Sequence, residues 1–286
     1  MIASRPPKLP IIIRALSLLE PHDVIDRRKI RVGNQNDGGY IMLDMFKKTP
    51  MAFSYGLSWN IIFELDLAQR GITVQMFDHT IDRLSIEHTL FRFHKEGIAA
   101  ETDVEQRLHT LAEHLDRFSE NATGMILKLD VEGAEWEALA RAPMEILLRF
   151  DQIVIEFHNL QLLSDSEFNQ KACMALSNLT ENFHLFHVHA NNCAPIVVVD
   201  SVPIADVIEA SYVRKGLVDV ARSSTFYPTS LDAPNDFRRS DHLLWFYPFM
   251  PTAWSTNAAA AAEFQNAALE RIVKLSQKAQ PTREEK

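Results

Sequence analysis

The chain has 286 residues, of which 47% are apolar and 23% charged, as expected for a globular α/β domain with smaller attached elements. The formal net charge of -9 argues against a general nucleic-acid binder, and two cysteines alone exclude a disulfide framework or a CxxC metal knuckle. No apolar run approaches the ~18 residues of a membrane span. The first ten residues lack the features of a secretory signal. We therefore expect a cytoplasmic protein whose partners are neither nucleic acid nor membrane.

The first fifty residues predict decoration that precedes the main domain. Residues 10–20 have the apolar character of a short helix. Within residues 29–45, two apolar runs flank Asn36-Asp37-Gly38-Gly39, which is typical of a hairpin. We interpret residues 1–50 as a helix and a hairpin attached to the core.

Strand and helix patterns alternate from Met51 onward. Strands are predicted at 51–55, 72–77, 91–98, 124–130 and 150–157. Helices are predicted at 59–70, along a stripe of Val104, Leu108, Leu111 and Leu115, and at 134–141 and 168–179. Alternation of this kind predicts an α/β core over residues 51–216, with a doubly wound, mostly parallel sheet and right-handed crossovers.

The pattern changes towards the end of the chain. Strands at 184–189 and 207–213 have no long helix between them, which predicts an antiparallel pair closing the sheet. Residues 196–199 could add one short strand. Residues 217–256 are irregular, and we expect them to pack on the core. Residues 257–286 predict an Ala-rich helix and a frayed tail.

In a doubly wound sheet, ligands bind beyond the carboxyl ends of the strands. Gly56 follows the first core strand and would let the backbone approach a ligand, while Ser58 could cap the next helix. Asp78 ends the second strand, 22 positions after Gly56, where an acid commonly binds a ribose hydroxyl. We expect Asp78 to be a surface residue. The pair predicts a nucleoside cofactor without separating adenosylmethionine from a dinucleotide.

A second group of polar residues follows the next two strands. Asp130 and Glu132 share a face by strand alternation, as do Glu156 and His158, and neighbouring strands would bring all four together. They could supply a general base with a supporting carboxylate, or hold a divalent ion. We favour the base, with no metal. His187 and His189 also share a face, so they could bind a metal. Histidines in strands are more often packed and hydrogen-bonded, and we favour that interpretation.

Several strings, in order, resemble those of FkbM-type methyltransferases. The strongest is Lys128-Leu-Asp-Val-Glu-Gly-Ala-Glu135, which is similar to the family's Lys-x-Asp-x-Glu-Gly-x-Glu motif. The others that look familial are Asp37-Gly-Gly-Tyr40, Ser54-Tyr-Gly-Leu-Ser58, Phe77-Asp78, His94-Lys-Glu-Gly97-Ile98, Glu156-Phe-His158, His187-Val-His-Ala-Asn-Asn192 and Leu231-Asp-Ala-Pro-Asn235. Together they extend over residues 31–235.

The resemblance implies a Rossmann-like class I methyltransferase. Its sheet would have seven mostly parallel strands, one antiparallel strand and helices on both faces, and its cofactor would be S-adenosylmethionine. Tyr55, Gly56 and Ser58 would bind the methionine part, Asp78 the ribose, Gly97 and Ile98 the adenine, and Glu96 the edge of the adenine; Asp130 would also contact the cofactor. The catalytic residues would be His158, Asp130 and Glu156. We assign substrate binding to Asp37, Tyr40, His187, His189 and Asn191.

The resulting hypothesis is methyl transfer to a hydroxyl of a sugar or another small metabolite, which would be the protein's small-molecule partner. One alternative is a methyltransferase-like protein that binds ligand without turnover. Another is an NAD-dependent oxidoreductase, against which the absence of a GxGxxG motif weighs. The sequence does not determine the oligomeric state.

Overall fold

The structure is a computed structural model that describes residues 8–251. Within that part of the chain the α-helices are α1 (Leu9–Ser17), α2 (Ile62–Gln69), α3 (Leu111–Phe118), α4 (Glu135–Arg141), α5 (Met144–Leu147) and α6 (Ser166–Asn182), with a 3₁₀ helix at Leu160–Ser164. The strands are β1 (His22–Val24), β2 (Lys29–Gly33), β3 (Gly39–Leu43), β4 (Met51–Tyr55), β5 (Thr73–Phe77), β6 (Phe91–His94), β7 (Gly97–Ile98), β8 (Leu108–His109), β9 (Met125–Leu129), β10 (Phe150–Phe157), β11 (Phe183–Ala190), β12 (Ile196–Val199), β13 (Val202–Ala205), β14 (Ile208–Arg214) and β15 (Val220–Arg222).

The main sheet has seven strands in the order β11-β14-β10-β9-β4-β5-β6. β4, β5, β6, β9 and β10 pair in parallel, whereas β14 pairs antiparallel with both β10 and β11. β14 is therefore the single antiparallel strand. The strand order reverses direction between β4 and β9, which makes their carboxyl ends the switch point where ligands bind in such sheets. The predicted Rossmann-like α/β fold is confirmed.

Strand alternation divides the buried side chains between the two faces of the sheet. Phe53, Leu127 and Ile155 belong to a large core cluster that also contains residues of α1, α3, α4 and α6. The alternate residues of these strands, such as Ala52 and Ile126, face the other side of the sheet. They form a second cluster with residues of α2 and the β2–β3 hairpin. Both faces of the sheet are therefore covered by helices, as predicted.

Smaller paired elements lie outside the main sheet. β2 and β3 form the predicted hairpin, β12 pairs with β13, and β1 pairs with β15. Apolar residues of the C-terminal segment, such as Tyr227 and Phe246, are buried in the larger core cluster. No helix within residues 8–251 is long and apolar enough to cross a membrane. The predicted Ala-rich helix lies outside the described residues.

Three local predictions need correction. The strand predicted at 91–98 is divided into β6 and β7. The helical stripe from Val104 is wrong, because Val104 is exposed and α3 begins only at Leu111, after a capping box between Thr110 and Glu113. Ser58 does not cap α2, which starts at Ile62; the Ser58 hydroxyl accepts a hydrogen bond from the backbone N–H of Asn60 at 3.0 Å instead.

Candidate functional site

A cavity of about 630 Å³ opens beside the carboxyl ends of β4, β5, β9 and β10. Its size lies in the range of small-molecule and cofactor sites. Eleven residues that the sequence nominated line it: Asp37, Tyr55, Gly56, Ser58, Asp78, Gly97, Ile98, Asp130, Glu156, His158 and Asn191. The other four, Tyr40, Glu96, His187 and His189, are not among its lining residues.

The turn after β4 depends on glycine at position 56. Gly56 has a φ of +76°, and a Cβ at this position would lie 1.5 Å from the backbone oxygen of Asp130. The Gly56 N–H donates to the carbonyl of Phe77 at 3.2 Å, and Lys128 Nζ donates to the carbonyl of Gly56 at 2.7 Å. The ends of three adjacent strands are therefore fixed against one another, and one glycine is enough for the close approach.

Asp78 forms the next part of the cavity wall. Its Oδ2 accepts from the backbone N–H of Leu57 at 2.8 Å, and its Oδ1 accepts from the backbone N–H and hydroxyl of Thr80 at 2.7 and 2.6 Å. Asp78 is buried rather than a surface residue, so the expectation from the sequence was wrong on that point. A carboxylate offers about four acceptor positions, which leaves capacity for a ligand hydroxyl.

Aromatic rings and one close contact that depends on a glycine line the region of Gly97 and Ile98. Tyr55 and Phe77 stack with their ring centroids 4.7 Å apart, and both line the cavity. A Cβ on Gly97 would lie 2.5 Å from His79 Nδ1. The sequence interpretation missed His79 and Thr80, although a polar run directly after a buried strand could have revealed them. This part of the cavity has the flat, apolar character that suits an aromatic base.

Glu96 is engaged by α3. Its two carboxylate oxygens accept hydrogen bonds of 2.8 Å from Arg117, and His114 Nε2 lies 3.2 Å from Oε2. Burial would raise the pKa of Glu96, but Arg117 and His114 lower it, so the group is ionised. Burial lowers the pKa of His114 to about 4. The neutral His114 ring lies with Nδ1 3.1 Å from the hydroxyl of Tyr55. An adenine contact of Glu96 stays a prediction.

The polar groups predicted from β9 and β10 do come together. Asp130 Oδ2 accepts from the hydroxyl of Tyr40 at 3.1 Å and lies 3.5 Å from Lys128 Nζ. Glu156 Oε1 accepts from Asn191 Nδ2 at 2.6 Å. Burial, followed by the charges of Asp130 and Glu209, raises the pKa of Glu156 well above its ordinary value. Burial and the neighbouring carboxylates therefore favour the neutral form of Glu156, whereas an approaching cation would favour its carboxylate.

His158 lies between two carboxylates. Its Nδ1 is 3.4 Å from Glu135 Oε1, and its Nε2 is 3.5 Å from Glu132 Oε2. Glu135 also accepts a 2.8 Å hydrogen bond from the backbone N–H of His158. Burial would lower the pKa of His158, but these carboxylates outweigh it and raise the pKa. This arrangement of an imidazole with a buried carboxylate behind it suits a general base.

The same patch could also coordinate a cation. Asp130, Glu156 and His158 each offer one ligand atom, and the three atoms lie within 4.8 Å of one another. Two carboxylates and an imidazole are acceptable ligands for several divalent ions. The sequence interpretation assigned no metal here, and that assignment stays a prediction.

The remaining nominated histidines are engaged with acidic residues of β14 and the C-terminal segment. His187 Nε2 lies 2.8 Å from Asp232 Oδ1. His189 contacts Glu209 through Nδ1 and Asp241 through Nε2, each at 3.0 Å. Burial would lower the pKa of His189, but the two carboxylates raise it to about 10. Substrate binding by these rings, and by Tyr40, stays a prediction.

Lys128 and Glu64 were given no role from the sequence, yet both line the cavity. A lysine within an apolar strand and a glutamate within an apolar helix were the signals available.

Comparison with known proteins agrees with this geometry. A family model described as "Methyltransferase FkbM domain" matches residues 44–186. The match covers α2, the strands from β4 to β10 and the helices between them, and therefore every strand end that forms the turn at Gly56 and the patch at Asp130. No match was found among curated proteins.

Proposed function

The chain belongs to the FkbM methyltransferase family, and on that basis we propose that it transfers a methyl group from S-adenosylmethionine to a hydroxyl of a sugar or another small metabolite. The observation that carries the proposal is the single cavity in which Gly56, Asp78, Asp130 and His158 meet. It combines a nucleoside-sized space with a candidate base at the switch point of the sheet.

The residues present fit this cofactor. Gly56 lets the chain turn tightly against the Asp130 carbonyl at the cavity wall, and Asp78 keeps acceptor capacity for a ribose hydroxyl. Gly97 and Ile98 lie in the aromatic part of the cavity, where the adenine would bind. The carboxyl groups of Asp130 and Glu156 line the same cavity, and a positive charge beside them would favour their ionised forms. When bound, S-adenosylmethionine supplies an electrophilic methyl group on a positively charged sulfur.

The chain's own residues would orient the acceptor and remove its proton. His158 Nε2 would take the proton of the acceptor hydroxyl and so make its oxygen a better nucleophile towards the methyl group that the cofactor supplies. Glu135 stabilises the imidazolium through Nδ1. Asp130 and Glu156 hold the acceptor in line, which contributes most of the rate increase in a displacement of this kind.

The cofactor assignment is tested by thermal unfolding and calorimetry with S-adenosylmethionine, S-adenosylhomocysteine and NAD. A ligand at a hundredfold excess over its Kd adds about 2.7 kcal/mol to stability, so Tm should rise by several degrees, roughly, with the two adenosyl ligands. A shift with NAD and none with either adenosyl ligand would favour the oxidoreductase alternative. Formation of S-adenosylhomocysteine with an acceptor separates an enzyme from a protein that only binds.

A further inference from the structure

A second cleft adjoins the cofactor cavity. It has a volume of about 320 Å³ and lies between the β2–β3 turn and the loop at residues 235–238. Asp37 and Cys193 line both spaces, so the two are contiguous. A molecule that places one group beside His158 can therefore extend into the second cleft.

The wall of this cleft includes an exposed aromatic ring. Phe237 is 76% exposed, whereas the core phenylalanine Phe53 is fully buried. The loop that carries it is held in place: Asn192 Oδ1 accepts from the backbone N–H of Asp236 at 2.7 Å, and Asn192 Nδ2 donates to the Asp236 carbonyl at 3.0 Å. The anchored loop therefore presents an aromatic side chain at the cleft, where it is available to pack against a ligand.

A buried amide next to this ring has an unused acceptor. Asn235 is 5% exposed and lines the cleft. Its Nδ2 donates to Glu209 Oε1 at 2.7 Å and to Asp37 Oδ1 at 3.2 Å. Both partners are carboxylates, which fixes the orientation of the amide. Its Oδ1 has no hydrogen-bond partner among the described residues, which leaves an unpaired acceptor within the wall of the cleft.

The polar groups of the cleft suit a ligand that carries hydroxyl groups. The guanidinium of Arg238 donates to both oxygens of Asp236, at 2.8 and 3.0 Å, so its charge is already paired. Asp37 adds a second carboxylate, and Asn36 and Asn235 add amides. Carboxylates and amides bind hydroxyl groups through hydrogen bonds, and an aromatic face packs against the apolar face of a ring.

We propose that this cleft is an outer acceptor subsite and that the acceptor is an extended glycoside rather than a free monosaccharide. The reacting hydroxyl lies in the cofactor cavity, the neighbouring hydroxyls bind Asp37 and Asn235, and the ring beyond them stacks on Phe237. This inference rests on the proposed methyl transfer, because that function defines the group beside His158.

The test compares matched probes in the presence of S-adenosylhomocysteine, which prevents turnover. Methyl and p-nitrophenyl glycosides of glucose, galactose, mannose and rhamnose are titrated calorimetrically. For at least one sugar the p-nitrophenyl member should bind about tenfold more tightly, because its ring reaches Phe237. Phe237→Ala should remove that advantage and Phe237→Tyr should keep it. Ile25→Ala, which removes an exposed apolar side chain that lines neither space, should have no effect.

Equal affinities within every pair, or an advantage that survives in Phe237→Ala, would overturn the subsite. Binding of S-adenosylhomocysteine is measured in the same titrations and confirms that each variant is folded. Its absence in the wild type would count against the proposed function. In that case the glycoside titrations, repeated without S-adenosylhomocysteine, would still decide whether the cleft binds an extended ligand.

Discussion

Lys128 links the turn at Gly56 to the acidic patch of Asp130 and Glu156. Its ammonium is almost fully buried, donates to the Gly56 carbonyl at 2.7 Å, and lies 3.5 Å from Asp130 Oδ2 and 3.8 Å from Glu64 Oε1. Burial would lower the pKa of Lys128, but the carboxylates raise it, so the charge is retained. A buried ammonium with several partners orients the groups around it and offsets their mutual repulsion.

We predict that Asp78→Asn weakens S-adenosylmethionine binding by roughly ten- to a hundredfold, because a bond to a charged group contributes about 1.5–3 kcal/mol. The variant should also lose stability, since Asp78 accepts three internal hydrogen bonds in a buried position. Calorimetry measures the affinity. Asp82→Asn, at an exposed position in the same loop, is the control. Unchanged affinity in a folded Asp78→Asn protein would remove Asp78 from the site.

A base at His158 predicts a characteristic pH profile. Because the base must be neutral to accept a proton and its pKa is raised, kcat/KM should increase as the pH rises past that pKa, above histidine's ordinary 6.5. Glu132→Gln removes one of the carboxylates that raise the pKa. Its side chain is exposed, so the limb should move to lower pH by only on the order of 0.1–0.7 unit. Glu101→Gln serves as an exposed control, and an unmoved or upward-shifted limb for Glu132→Gln would contradict the assignment.

The acidic patch at the ends of β9 and β10 has two possible roles, a general base or a metal site, and the two predict different results. A metal-free base predicts that extensive chelation changes the rate by less than about twofold and that His158→Ala lowers kcat by about 10²–10⁴-fold. Loss of activity on chelation, restored by Mg²⁺, would instead mean that Asp130, Glu156 and His158 coordinate a cation.

Buried acid–histidine pairs attach the C-terminal segment to β11 and β14. Asp232 also accepts from the backbone N–H and the hydroxyl of Thr229, at 2.6 and 2.8 Å. Burial would raise the pKa of Asp232, but the contacts with His187 hold it well below its usual range. Burial lowers the pKa of His187, so this contact is a buried hydrogen bond, and such bonds fix the segment that carries Asn235 and Phe237 on the sheet together with apolar packing.

We predict that His189→Ala costs about 3–5 kcal/mol of unfolding free energy at pH 6.5, because it leaves buried carboxylates unpaired. Asp241→Asn, which removes the more exposed partner, should cost less, about 1 kcal/mol. The folded-state pKa of His189 is raised to about 10 from 6.5, so its contribution is complete below pH 6.5 and is lost as the pH rises through 10. The difference between wild type and His189→Ala in urea unfolding should therefore shrink towards pH 10; a constant difference would contradict the charged pair.

The positions of strands that are buried along their length could be predicted from the sequence. The positions of elements that local hydrogen bonds determine could not. β4, β9 and β10 are mostly apolar and almost wholly buried, so their positions followed from the sequence. The start of α3 depends on the Thr110 capping box, and residues 103–109 fold back through the pairing of β7 with β8. An apolar spacing that continues through Val104 by coincidence conceals that turn.

For the molecule as a whole, the position of the site at the carboxyl edge follows from the alternation of strands and helices. Strand ends therefore predicted Gly56, Asp78, Asp130 and His158 as lining residues. Partners distant in sequence were not accessible in this way. The contacts of His189 with Asp241 and of Glu96 with Arg117 depend on packing between separate elements. Glu96 and His189 were assigned as ligand contacts from the sequence; both form these internal contacts, and their ligand contacts stay predictions.

Methyl transfer by this protein is measured most directly as transfer of a labelled methyl group from S-adenosylmethionine to a panel of glycosides. S-adenosylhomocysteine is quantified in the same reaction. We predict one labelled, methylated glycoside for each S-adenosylhomocysteine formed, and a loss of at least about a hundredfold in His158→Ala. Intact S-adenosylmethionine and unlabelled glycosides, together with reduction of NAD by the same glycosides, would contradict the account.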